Sequence, residues 1–336
     1  MNKCNFLLPH QNENQNKINE NKINKNQNQQ IISIIVKSDF FILNEINIYE
    51  IIKNISNNQK HFYIFDSYQP VNYSEIYQDQ DEPEYAYANA NKQETDLILL
   101  NYKDKTLFSL FEYIRMQSLT DLQKIKIILD SFSYLLESIH LLIENNLVHN
   151  NINQDTVYFV NNLSTITSPI LLKFDHSIVI SKNNKINLSP YLLDYNPKDI
   201  YLPLEFQLLS YLKFNNLTSL SHNHIENIIN IYIDNYNYNN ETFKEESYIY
   251  LNTFVNKSIE TIMNEVSVFY YTWDTYKLSI YFLEILLQLD LKYKSESKTN
   301  LILENFTELL IKNINPNPLK RPKLQEIKNN MQELLP

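Results

Sequence analysis

Glycine is absent from this chain of 336 residues. An ordinary usage of ~7% would place roughly 20 in a protein of this length. The absence excludes any site where the backbone must approach a ligand without a side chain in the way, above all a glycine-rich phosphate loop. It also predicts that Asn and Asp occupy the positions where the backbone turns left-handed. Cysteine occurs once, as Cys4. That excludes an internal disulfide framework and a cysteine-rich zinc site, and fits a reducing compartment. No run reaches the ~18 apolar residues that a membrane-spanning helix needs. The opening stretch MNKCNFLLPHQNEN has no apolar core of signal-peptide length. An intracellular chain without a membrane span is the expectation. The net charge of −10 argues against nucleic acid or an acidic membrane surface and suits a basic peptide or protein partner.

What the chain does have is Asn, Ile, Lys and Tyr in abundance, the mark of an AT-rich genome, and a hydrophobic content of 43% that can build a core. Residues 1–30 are Asn, Gln, Lys and Glu with few apolar anchors, and read as a disordered tail. Ile31–Lys37 (IISIIVK) is a β-branched strand, followed by a helix over 39–53 with apolar residues at helical spacing. His61–Phe65 and Asp96–Tyr102 read as further strands, separated by an acidic loop at Gln78–Glu94. Thr106–Arg115 reads as a short helix. Asp121–Asn146 gives the strongest helical pattern, with Ile125, Ile128, Phe132, Leu135, Leu136, Ile139 and Leu142 on one face. Val157–Val160 and Ile170–Phe174 form a small hairpin. Helices follow at Ile225–Tyr232, Ile259–Tyr270, Leu278–Leu289 and Leu324–Leu335. The third of these is apolar almost all round and therefore buried.

Between the long helix and the hairpin lies Leu147-Val148-His149-Asn150-Asn151-Ile152-Asn153-Gln154-Asp155-Thr156. A histidine in a polar loop between a helix and two strands resembles the catalytic centre of protein kinases, H-R-D-x-x-x-x-N. His149 matches. Asn150 stands at the Arg, Asn151 at the catalytic Asp, Asn153 at the customary Lys and Thr156 at the metal-binding Asn. Asp175-His176-Ser177 resembles D-F-G, and Leu202-Pro203-Leu204-Glu205 resembles A-P-E. Asp274-x-Tyr276-Lys277-x-Ser279 resembles D-x-W-S-x-G, and Asn315–Pro322 the closing D-P-x-x-R-P. The long segment 207–269, followed by W-D-x-Y-x-L-S, is similar to serine/threonine kinases of giant DNA viruses, which would place the chain in host cytoplasm.

The resemblance implies an α+β bilobal kinase-like fold: an N-lobe over 31–104 and a mainly helical C-lobe over 105–336 with an insertion at about 207–269. Lys103–Lys105 would line the hinge between the lobes. It implies that Lys37 pairs with Glu45, or with Glu50, to hold ATP phosphates. Asp175 would bind Mg, with Thr156 a poor donor for a second ion. Asp274 would hold the catalytic-loop backbone, and Glu205 would form a buried ion pair with Arg321. Asn151 can accept a hydrogen bond from a substrate hydroxyl but cannot take its proton, a loss of ~10²–10⁴-fold. Asp155 is the nearest carboxylate that could replace it. The implied function is a pseudokinase or very weak kinase working through protein interaction. The alternatives are a divergent active serine/threonine kinase acting on a protein substrate, and an all-helical scaffold in which the motifs are coincidence.

Overall fold

The computed structural model describes residues 31–71, 97–103, 105–160, 168–181, 186–192, 196, 198–236, 241–289 and 298–334. The expectations for the 1–30 tail and the 78–94 loop lie outside them, as does Asp104 of the expected hinge. The chain is a mixed α+β protein of small antiparallel sheets and many helices. Among the described residues no helix is long and apolar enough to cross a membrane.

The first sheet has the order β1-β3-β2, from β1 (Ile31–Lys37), β2 (Ser67–Val71) and β3 (Leu97–Lys103), all antiparallel. The alternating exposure of β1 sets Ile34 and Val36 inward against Ile42, Phe65, Ile98, Leu100 and Tyr102, and leaves Lys37 exposed on the other face. Helix α1 (Phe40–Ile52) starts after only two intervening residues. Its N-cap, Asp39, accepts the N–H of Ile42 at 2.9 Å.

The strand expected at His61–Phe65 is absent. Residues 58–61 form a helical turn, Phe62 makes a single parallel bridge to Leu171, and the strand begins at Ser67. Here tertiary anchoring overrides β-propensity. His61 stacks on Tyr134 with ring centroids 4.8 Å apart, and Phe62 and Phe65 are plugged into two different cores. Pro70 is tolerated because β2 is an edge strand. Thr106–Arg115 is likewise corrected to a strand, β4 (Leu107–Ser109), followed by α2 (Leu110–Arg115). Ser109 and Glu112 form a capping box at the junction.

Helix α3 (Asp121–Glu144) opens on a second capping box, Thr120 with Gln123, and buries the face read from the sequence. Strands β5 (Leu147–Val148) and β8 (Ile178–Val179) pair, and β6 (Val157–Val160) and β7 (Pro169–Leu171) join β4 in the order β4-β6-β7. Then come α4 (Leu204–Phe214), α5 (His222–Tyr236), α6 (Glu241–Asn252), α7 (Ile259–Ser267), α8 (Trp273–Gln288), α9 (Lys298–Asn313) and α10 (Leu324–Leu334).

Two cores organise this. One packs α3 against α8, α9 and α10 through Phe132, Phe282 and Phe306, and also takes in Ile48, Ile52 and Phe62 from the first 104 residues. The other gathers α4–α7 around Trp273 and is continuous with Val148 and Ile178. The long segment is therefore built onto the loop-bearing strands rather than around a core of its own. Among the described residues six non-glycine positions have positive φ, and five of them are Asn: Asn57, Asn146, Asn150, Asn216 and Asn256. The short amide side chain is the substitute available to a chain without glycine.

Candidate functional site

The site forms where α1, the 149–156 loop, the 175–177 turn and the start of α8 converge. Asn150 is one of the left-handed residues, at φ 55°. Asp274 collects the backbone N–H groups of His149 on Oδ2 at 2.7 Å and of Asn150 on Oδ1 at 2.8 Å. Burial pushes the Asp274 carboxyl up to about 6, and the two N–H groups pull against that shift. His149 is fully buried. Its Nε2 lies 3.0 Å from the carbonyl of Leu172 and its Nδ1 accepts the N–H of Asn151 at 3.2 Å, so the proton sits on Nε2. Burial lowers its pKa to about 3, which keeps the ring neutral. Its edge packs on Phe174 at 4.7 Å.

The side chains of Asn151, Asn153 and Thr156 hydrogen-bond within the loop. The Thr156 hydroxyl accepts the N–H of Asn153 at 2.9 Å and donates toward the carbonyls of Asn151 and Asn153 at 2.9 and 3.1 Å. Asn151 Oδ1 accepts from Asn153 Nδ2 at 2.9 Å. The expected base position thus holds a neutral amide already hydrogen-bonded within the loop, and Thr156 faces inward as a structural group.

The turn at 175–177 is pinned from both sides. Asn44 of α1 donates through Nδ2 to the carbonyls of Asp175 and Ser177 at 2.8 and 2.7 Å, and the hydroxyls of Ser177 and Tyr191 bond the carbonyls of His149 and Ser177. Asp175 turns Oδ1 onto the N–H of His176 at 3.0 Å. Asn44 was not among the residues the motifs singled out. Its only sequence signal is adjacency to Glu45 on a helix expected to face the site.

The expected pairing of Lys37 with Glu45 does not form, and Glu50 pairs instead with Lys53. The reason is strand periodicity: the inward positions of β1 are Ile34 and Val36, so Lys37 at the strand's end must point away. Glu45 is buried with Oε2 unpartnered. Burial first, and then Asp175, raise its pKa to about 8, so it is a neutral acid at pH 7.

Magnesium nucleotide would need a phosphate-pairing cation and two or more hard oxygen donors. Lys37 is turned outward, Thr156 is consumed, and Glu45 holds its proton. Among the described residues no group of three His, Cys, Asp or Glu is placed to hold a metal ion. The expected set of Lys37, Glu45 and Thr156 does not fit Mg·ATP, and Asp175 is the one carboxylate of the expected site left to face solvent. The two scaffold groups are fully engaged instead. Arg321 meets Glu205 with Nη1–Oε1 at 2.6 Å and Nη2–Oε2 at 2.9 Å, both residues being buried.

Because Asp274 accepts two buried N–H groups, Asp274→Asn turns an N–H₂ toward one of them. A loss of about 1–3 kcal/mol is expected, read as a lower urea midpoint together with faster amide exchange at His149 and Asn150. Unchanged exchange at those two amides would show that the carboxylate is not what holds the loop.

No model of a known protein family matches the chain, and no curated protein matches its sequence.

Proposed function

We propose that the chain is a protein-kinase-fold protein that has given up phosphoryl transfer, a pseudokinase that acts by binding another protein. The observation that carries the reading is the contrast inside the 149–156 loop. The start of the loop is buried and held by Asp274 and His149, yet the Asn151 and Thr156 side chains are neutral and bonded to the loop itself. The sheet order β1-β3-β2 with α1 between its first two strands, the β5–β8 and β6–β7 pairs flanking the loop, and the Glu205–Arg321 pair support a bilobal arrangement. The first sheet also speaks against an all-helical scaffold. The net charge of −10 supports a basic protein segment as the partner.

The test is transfer of labelled γ-phosphate from ATP, with Mg²⁺ or Mn²⁺, to the protein itself and to basic and acidic protein substrates. The expected result is no transfer above that of Asp175→Ala, and no Mg²⁺-dependent rise in Tm at millimolar ATP. Ligand at 100 times its Kd would stabilise by ~2.7 kcal/mol. Transfer that disappears in Asp175→Ala would overturn the reading in favour of an active kinase.

A further inference from the structure

Lys277 sits in the second turn of α8, on a stretch buried on every side, and is only 3% exposed. Lysine in such a place normally finds a carboxylate or reaches for solvent. Among the described residues Lys277 finds no carboxylate at ion-pair distance, and its Nζ lies over the ring of Phe206 at 5.8 Å. The side chain lines a cavity of about 260 Å³ between the 149–156 loop, α4 and the segment before it. Asn150, Asn151, Tyr191, Asp199 and Ser210 form other parts of its wall. A second buried group in the same wall, Asn150 Oδ1, is also without a hydrogen-bond partner.

The charged and titratable groups facing Lys277 are Asp274 on its own helix, Glu205 on α4, Asp199 on the preceding segment, and His149 and His176. Burial lowers the amine's pKa, and the three carboxylates pull it back only in part. A solvent-exposed lysine is neutral in roughly one molecule in 2,500 at pH 7, and each unit of lowering raises that fraction tenfold. A desolvated, unpaired amine on the wall of a small cavity is the arrangement that makes lysine a nucleophile toward carbonyl carbon.

We propose that Lys277 is a carbonyl-reactive amine and that its cavity admits small aldehydes. The Nζ lone pair attacks the carbonyl carbon and forms the C–N bond. The carbonyl oxygen gains a proton and the nitrogen loses one, giving a carbinolamine. Breaking its C–O bond then releases water and leaves an imine. No electrons enter or leave, so no redox partner is needed. Asp199 is the carboxylate on the wall that can take up and return the proton.

The experiment treats the full chain with propionaldehyde and cyanoborohydride, which traps imines, between pH 6 and 10.5, and maps alkylation at every lysine by peptide mass spectrometry. Lys277 is expected to react at least tenfold faster than the median surface lysine at pH 7. The advantage should vanish near pH 10.5, where surface amines also deprotonate. A rate at or below the surface median throughout would overturn the proposal. A parallel arm uses a dextran polyaldehyde, a polymer far too large to enter a cavity of about 260 Å³. It is expected to label surface lysines and spare Lys277. Equal labelling of Lys277 by both aldehydes would mean access by local opening and would overturn the cavity's role.

Discussion

Arg321→Met is expected to destabilise the protein by about 3–5 kcal/mol, the cost of leaving one member of a buried, bidentate ion pair without the other. Glu205 is 0% exposed and receives Arg321 on both oxygens, with Trp273 Nε1 on Oε1 at 3.1 Å. Arg321 also donates Nε to the carbonyl of Asn315 at 2.7 Å and Nη1 to Thr272 Oγ1 at 3.1 Å, and its guanidinium stacks 4.8 Å from the Tyr276 ring. Methionine fills the volume but returns none of these bonds. In a chain of this size the loss should lower Tm by about 5 °C. Adding Glu205→Gln to Arg321→Met is expected to recover part of the loss rather than add to it, because the uncompensated buried charge is gone while Trp273 keeps an acceptor. Urea unfolding followed by circular dichroism checks both variants. A single-variant loss under 1 kcal/mol, or strict additivity in the pair, would mean that the ion pair is not what holds α4 to the 315–321 turn. The position matters beyond stability, since Thr272, Trp273 and Asp274 are consecutive. The residues that bind the pair are continuous with the residue that holds the 149–156 loop.

That pair was readable only through resemblance, because 116 residues separate its members and no local pattern connects them. The long helix α3 was legible from periodicity alone, since one face is apolar and the other is not. Helix α4, LEFQLLSYLKF, was missed because it buries residues on every side, so its apolar positions show no period. The use of Asn at left-handed turns followed from the missing glycine and can be seen at Asn150, inside the site itself. Lys37 is the instructive failure. Matching it to a motif fixed its place along the strand but not its face, and in a strand a single step reverses the face. The condition of Glu45, buried without its cation, follows from that reversal and could not be read before the register of β1 was known.

Glu45→Gln should therefore stabilise the protein, by an amount that grows as the pH rises from 4.5 to about 8. Burial and the neighbouring Asp175 carboxylate raise the Glu45 pKa from 4.5 to about 8, against the smaller opposing pull of the Phe174 backbone and Lys173. The folded state thus holds a proton that the unfolded chain releases. Stability from this group is complete below pH 4.5 and falls by about 1.4 kcal/mol per pH unit until the folded protein loses the proton near pH 8. Glutamine copies the neutral acid in shape and cannot ionise. The two proteins should match within ~0.5 kcal/mol at pH 4.5 and diverge to about 3–5 kcal/mol in favour of the variant above pH 8. His149, lowered to about 3, and Asp274, raised to about 6, titrate in both proteins and cancel from the difference. Urea midpoints from pH 4.5 to 9 measure it directly. Parallel profiles would mean that Glu45 finds water or a cation in solution. Diverging profiles would mean that the surroundings of Glu45 are dry at neutral pH and that its buried carboxyl is uncharged there.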